Sequence, residues 1–333
     1  MNITQLGLRT LGALLLGGAV ATFVASDILL GLLTQAIIYA VFATGIGVLL
    51  RQNGAVSFGH ALFFGGAGYG LGVLLKLQWV PAEAAIVLTL LGIALFAFLI
   101  GLAIVRVPGI AFGMVTLAMG QMAFLSASRA RGLTGGADGM AVEWPATVFG
   151  LSQSQLFAPA TMFLISWCTL VLAVAGLALL LASRFGSITE AVRDNEERAR
   201  FIGISTLLPR AAVYALSAVV TGLAGVLAAL NTGFVSPETL HWSLSGMTLM
   251  MVIVGGSKAL WGPALGAVVY FLFKDVVGDF ATHWMSIFGI VLIAVIVFAP
   301  HGFAGLLGQV RLRKTAPAAA RPVPTLEVPE ARA

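Results

Sequence analysis

Apolar residues gather in runs at about 9–25, 29–50, 55–75, 82–105, 109–128, 159–181, 211–230, 243–256, 259–277 and 284–299. An α-helix rises about 1.5 Å per residue, so about 20 apolar residues cross a hydrocarbon core about 30 Å thick. The spacing therefore predicts about ten transmembrane spans. In lipid every backbone amide must be paired inside the protein, which leaves only helices or a closed barrel. Barrel strands alternate apolar and polar positions, whereas these runs are continuous, so a barrel is excluded. The expected fold class is all-α, a polytopic transmembrane helical bundle. The eighth run is short and ends in Gly255-Gly256, the pattern of a broken or re-entrant helix. Trp261-Gly-Pro263 echoes the Gly-rich third run faintly. With five helices per half, a second half would start on the opposite side, as in inverted repeats.

Two connections exceed the short turns that a bundle needs, about 129–158 and about 183–210, and function is sought there. In the second, Ser187 and Glu190 have the form of a capping box that starts a helix over about 187–203. Ile188, Ala191, Val192, Asn195, Ala199 and Ile202 form a small, largely apolar stripe, with Arg193, Asp194, Glu197, Arg198 and Arg200 opposite. Asp194 with Arg198, and Glu196 with Arg200, are acid-first pairs four residues apart. Gly203 is placed to end the helix in a left-handed conformation, and Pro209 suits the first turn of the next span. Such a helix fits a docking surface for a partner or an interfacial helix lying on headgroups.

The first connection carries Thr134-Gly135-Gly136-Ala137-Asp138-Gly139, in which glycines permit a tight turn and Asp138 can bond its own backbone. The functional alternative to a plain turn is a gate at the pore mouth or a docking surface. Within the spans, Ser57, His60, Gln35, Gln121 and Asn231 are polar groups that normally face the bundle interior. Each is a candidate to line the path or to bond a neighbouring helix. Glycines at 66 and 70 give the third run a small-xxx-small spacing for close helix packing.

Composition sharpens this picture. Of the 333 residues 59% are hydrophobic and 9% charged, against about 25% charged in soluble domains. The net charge of +5 is explained by topology, so nucleic acid is not an expected partner. With the N-terminus inside, fourteen Lys and Arg fall on the cytoplasmic side; Lys76, Arg129, Arg131 and Lys274 fall outside. Both termini are therefore expected in the cytoplasm. The run Leu11 to Ala25 imitates a signal peptide but is read as an uncleaved first helix, because the next span begins at once. Cys168 is the single cysteine, so an intrachain disulfide is excluded. The chain divides into a transmembrane domain over 1–308 and a tail over 309–333, rich in Ala, Pro and Val, that is expected to be disordered and cytoplasmic.

The stretch from Glu190 and Ala191 through Arg193, Asn195 and Glu196 to Gly203, followed by Ser217-Ala218 and Gly222-Leu-Ala-Gly225, resembles a known coupling motif. It is that of ABC permeases for branched-chain amino acids, the LivM-like subunits. Ser57 to Gly65, Thr134 to Gly139, Trp261 to Gly266 and Phe298 to Gly302 agree in order with the same family. The resemblance implies an ABC importer permease fold in a bacterial inner membrane and half of a translocation pore for Leu, Ile or Val. It implies three kinds of partner: a second homologous permease subunit, two cytoplasmic ATPase subunits and a periplasmic substrate-binding protein. It places ATPase coupling on Glu190, Ala191, Arg193, Asn195, Glu196 and Gly203. The chain has no Gly-x-x-x-x-Gly-Lys-[Ser/Thr] phosphate loop, so ATP is expected on the partner ATPases and no cofactor in this chain. A related permease for urea or short amides fits the same landmarks. A stand-alone secondary transporter would need an intramembrane acid or lysine, and an enzyme would need clustered acids, His or Cys. The spans hold almost no such groups.

Overall fold

The computed structural model describes residues 3–24, 26–143, 147–148, 150–278, 280–281, 283–299 and 302–306. The tail expected over 309–333, together with Pro300 and His301, lies outside the described residues. The long helices are α1 (Ile3–Phe23), α2 (Asp27–Asn53), α3 (Ala61–Leu77), α4 (Ala82–Ile104) and α5 (Gly109–Arg129). Then come two short helices, α6 (Arg131–Thr134) and α7 (Gln153–Leu156), the long α8 (Pro159–Leu181), and α9 (Arg184–Asp194) with α10 (Glu196–Phe201). The last four are α11 (Leu207–Thr232), α12 (Trp242–Gly255), α13 (Gly262–Gly278) and α14 (Trp284–Phe298). Four two-residue strands, β1 (Met140–Ala141), β2 (Thr147–Val148), β3 (Leu151–Ser152) and β4 (Phe234–Val235), form two small antiparallel pairs.

Every apolar run contains a helix; α1, α2, α4, α5, α8 and α11 are each long and apolar enough to cross a membrane, and the stretch from Trp284 that begins with α14 is a seventh candidate. The exceptions are α3 and α13, with 17 residues each, and α12 with 14. At about 1.5 Å per residue α12 reaches only about 21 Å, so the eighth run is not a full helical crossing. The central pair is α2 and α11, with 78% and 72% of their most apolar stretch buried. For α4, α5, α8 and α14 that share lies between 22% and 28%, leaving their apolar outer faces to lipid or to partners.

α3 and α12 are short for the same reason. α2 ends at Gly54 and α11 at Gly233, each with φ 65° and ψ 14°, the left-handed geometry that glycine adopts without strain. A Val-Ser pair follows each one, Val56-Ser57 and Val235-Ser236, and His60 or His241 then occupies the N-cap of the next helix. Non-helical chain thus leads into both α3 and α12, entering from opposite ends of the bundle. Such backbone is tolerated at membrane depth only when protein surrounds it. Here Ser57 and His60 are fully buried, and Val235 and Leu240 nearly so, while Val56 and Phe234 on the same segments are 36% and 45% exposed. The same Gly-x-Val-Ser stands at both helix ends, and the Asn53 side chain donates to the Arg210 carbonyl at 3.0 Å, so the end of α2 lies beside the start of α11.

The two entering segments meet in the middle. The Ala61 amide donates to the Ser245 hydroxyl at 2.7 Å, tying the first residue of α3 to the first turn of α12. Gly120 of α5 faces both segments, with the Gly59 Cα and the Leu240 carbonyl oxygen within 4 Å of where its Cβ would stand.

Candidate functional site

His60 is the hub of the segment leading into α3. Its Nδ1 lies 2.8 Å from the Ser57 hydroxyl and its Nε2 lies 2.6 Å from the Ser217 hydroxyl on α11. Ser217 donates to the Gly45 carbonyl at 2.7 Å, and Ser57 accepts from the Gly59 amide at 3.3 Å. Counting donors assigns a neutral ring: Nε2–H donates to Ser217, and Ser57 donates to Nδ1. Phe63 and Tyr214 meet the ring edge-on at 5.6 and 5.7 Å. Every polar atom of this relay is bonded inside the protein, so Ser57 and His60 join helices. Gln121 on α5 stands apart, with its Oε1 buried and unpartnered among the described residues.

On the other side of the same junction lies a cavity of about 310 Å³ between α2, α3, α11, α13 and the segment containing β4. Gln35 and Asn231 both line it. Its aromatic wall is built from Tyr39, Phe64 and Phe271, with Tyr39 at 6.0 Å from Phe64 and 5.1 Å from Phe271 between ring centres. Lys274 at its rim stands 5.9 Å from the Phe271 ring and 6.0 Å from the Trp284 ring. Gly65 and Gly68 of α3 let Leu240 and Val235 sit against the helix backbone. Gly66 and Gly70 of the predicted small-residue spacing face Ile93 and Thr89 of α4 instead.

The connection after α5 clamps this region. The Thr134 hydroxyl lies 2.6 Å from the Ala127 carbonyl and 2.8 Å from that of Ala130, and it accepts from the Gly136 amide at 3.4 Å. Gly135, Gly136 and Gly139 all have positive φ, at 78°, 70° and 75°. A Cβ on Gly139 would overlap the Val235 carbonyl, because β1 lies antiparallel on β4 with Met140 opposite Val235. The Val142 amide adds a bond to the Gly233 carbonyl at 2.9 Å. The predicted turn is therefore a clamp on the segment that leads into α12. Asp138 is exposed and is not among the residues lining the cavity.

At the arginine-rich end the helix predicted over 187–203 is two helices. Ser183, not Ser187, caps α9, accepting from the Phe185 amide at 3.3 Å. The chain breaks at Asn195, φ −158° and ψ 101°, whose side chain caps α10 by accepting from the Arg198 amide at 2.8 Å. The break splits the expected stripe: Val192 and Ala199 are buried, while Ile188, Ala191, Asn195 and Ile202 are exposed. Asp194 pairs with Arg193 at 2.7 Å and not with Arg198. Glu196 does pair with Arg200, at 2.6 Å, and with Arg210 at 2.8 Å, and it accepts from Thr206 at 3.0 Å. Gly203 has φ 84° and follows α10, as predicted, and a Cβ there would meet nothing within 4 Å.

Arg193 straps this unit to the bundle. Its Nη1 donates to the Arg51 carbonyl at 2.6 Å, and its Cγ lies 3.5 Å from where a Cβ on Gly54 would stand. Thr189 donates to Gln52 at 2.8 Å. Glu190 is exposed, 3.8 Å from Arg193. Opposite the strap, Phe201 and Ile202 stand 90% and 70% exposed.

The family model described as "Branched-chain amino acid transport system / permease component" matches residues 28–300. The chain belongs to that permease family. It is similar to the high-affinity branched-chain amino acid transport system permease protein LivM of Salmonella typhimurium, 25% identical over 289 residues, covering 81% of this chain and 68% of the relative. It is also similar to the autoinducer 2 import system permease protein LsrC of Escherichia coli O9:H4, 30% identical over 268 residues, covering 75% and 72%. No solved structure matches this chain.

Membership of this permease family makes the protein a multi-pass transport subunit and not an enzyme. Within it, the residues that sequence reasoning missed are those of β4 and the turn Pro237–Leu240, Lys274, and the strap partners Arg51 and Gly54. The repeated Gly-x-Val-Ser was the signal that could have found the first group.

Proposed function

We propose that this permease is a membrane-spanning subunit of an ATP-driven importer of branched-chain amino acids, forming half of a pore with a second, homologous permease. Two cytoplasmic ATPases bind the ATP and dock on α9 and α10, and a periplasmic binding protein delivers substrate to the opposite end. The observation that carries the coupling role is the strap: Arg193 fixes α9 to the carbonyl of Arg51, three residues before the chain turns inward at Gly54. A pull on the exposed Phe201 and Ile202 reaches the α2 end and the segment holding His60 through α10, its cap at Asn195 and the two polar contacts that α9 makes with α2. Rocking of one half of the bundle against the other then changes the side to which the pore opens.

The test is ATPase activity in liposomes containing both permeases and two ATPases, with the binding protein loaded in turn with Leu, Val or urea. Stimulation by Leu or Val is expected. Stimulation by urea alone keeps the class and changes the solute; the relative named for autoinducer 2 import shows that solute can differ among similar permeases. Arg193→Glu should keep the assembly intact and cut Leu uptake per ATP by about tenfold or more, since a reversed charge repels the carbonyl that it held. Unchanged uptake per ATP in that variant removes Arg193 from the coupling path.

A further inference from the structure

We infer that the 310 Å³ cavity is a binding site within a single subunit for the zwitterion of a small aliphatic α-amino acid. The ligand class rests on the amino-acid reading above; the existence of a site does not.

Four polar side chains converge on the cavity without being used by the fold. The amides of Gln35 and Asn231 and the hydroxyls of Tyr39 and Tyr270 take no hydrogen-bond partner among the described residues. The Ser57–His60–Ser217 relay on the other side of the junction is fully bonded. Polar groups in an apolar bundle normally pair with one another, and a set left open toward one space is arranged for something that enters it. At 310 Å³ the space matches the low end of small-molecule sites, about 300 to 1,000 Å³.

Its chemistry divides in a way that fits one class. Among the described residues Lys274 is the only charged one in the lining, with no Asp or Glu beside it there. Among the described residues no carboxylate lies within ion-pairing range of it, so the rim favours an anionic group. The carboxamide oxygens of Gln35 and Asn231, with the π face of Tyr39, accept an ammonium. Phe64, Phe271 and Met247 give an apolar wall to a branched aliphatic side chain. A neutral amide such as urea would leave Lys274 unanswered, and a phosphate would leave the apolar wall unused. The described residues that line it all belong to one chain. The clamp of β1 on β4 holds Val235 and Ser236 in its lining, coupling occupancy to the segment that leads into α12.

The experiment is equilibrium binding to the full chain in nanodiscs, with L-leucine, L-leucinamide and urea as probes. L-Leucine should bind saturably at one site per chain. L-Leucinamide, which keeps the ammonium and the side chain but lacks the carboxylate, should bind about tenfold more weakly, the effect of one charge-assisted bond. Lys274→Gln should weaken L-leucine to the level of L-leucinamide and leave L-leucinamide unchanged, with Lys274→Arg restoring most of the difference; a merely structural lysine would move both probes together. Equal binding of the two probes by the wild-type chain overturns the inference, as does the absence of saturable L-leucine binding. If binding is absent while the assembled transporter still responds to a Leu-loaded binding protein, the cavity site falls and the permease reading stands. Binding of urea in place of L-leucine overturns the ligand class and, with urea-stimulated ATPase, the amino-acid reading too.

Discussion

At the residue scale the protein separates polar groups that hold it together from polar groups left open. His60, fully buried between α2, α11 and the segment before α3, bonds two serines at once. Replacing it removes both bonds and opens a cavity beside Phe63 and Tyr214. Hydrogen bonds between membrane helices average about 0.6 kcal/mol and reach about 1.7, and the void adds to this. His60→Ala should therefore lower stability by about 2 to 3 kcal/mol. The check is the thermal midpoint of the detergent-purified protein; a midpoint equal to wild type would falsify a packing role for the relay. Gly225 is limited in a different way, since a Cβ there would overlap the Phe64 backbone where α11 crosses α3. Both residues lie within the stretches that carry the family resemblance, and in both the structure supplies a packing reason.

At the element scale, the short helices carry most of the design. α3 and α12 are short because a glycine turn ends the preceding helix and sends extended chain into the bundle. The sequence made α12 visible by its length. For α3 it did not, because Ala55 to Ala61 is apolar enough to extend the run and only Ser57, Gly59 and His60 interrupt it. The break at Asn195 was also hidden: helical periodicity continues across it, and Asn was counted as one more small residue, whereas its side chain caps α10. The clamp gives the prediction at this scale. Gly139 has φ 75° and ψ −169°, a region open essentially to glycine alone, and a Cβ there also overlaps Val235. Gly139→Val should release β1 from β4, raising hydrogen exchange at the Val142 amide by about tenfold or more while the amides of α2 and α11 stay protected. Unchanged exchange at Val142 would mean that the pairing does not depend on this glycine.

At the scale of the whole molecule, the other helices pack around α2 and α11, the most buried pair, and the segments leading into α3 and α12 meet at Gly59, Gly120 and Leu240. The His60 relay and the cavity lie on opposite sides of that junction. The charge count predicts that α9 and α10 face the cytoplasm and the Thr134–Gly139 clamp faces outward. On a Cys168→Ser background, a membrane-impermeant maleimide should label Ala137→Cys in intact spheroplasts and Ser187→Cys only after permeabilisation, both positions being exposed. The reverse pattern would invert the topology.

The sequence alone determined the helical membrane class, the approximate position of each long helix and the permease family. These follow from run length and local motifs, which depend on residues close together in the chain. It also marked Gln35 and Asn231, since a polar group in an apolar run has to face something. What lay beyond it was which polar residues meet. Ser57 and His60 were open to either a path or a helix-to-helix bond until Ser217, from the far half of the chain, was found 2.6 Å from His60 Nε2. Lys274 looked like a topology signal until α13 brought it to the rim of the cavity with Asn231. Such pairings are set by helix packing across the two halves, where contacts between distant residues decide whether a polar side chain is satisfied by the fold or left open to a ligand.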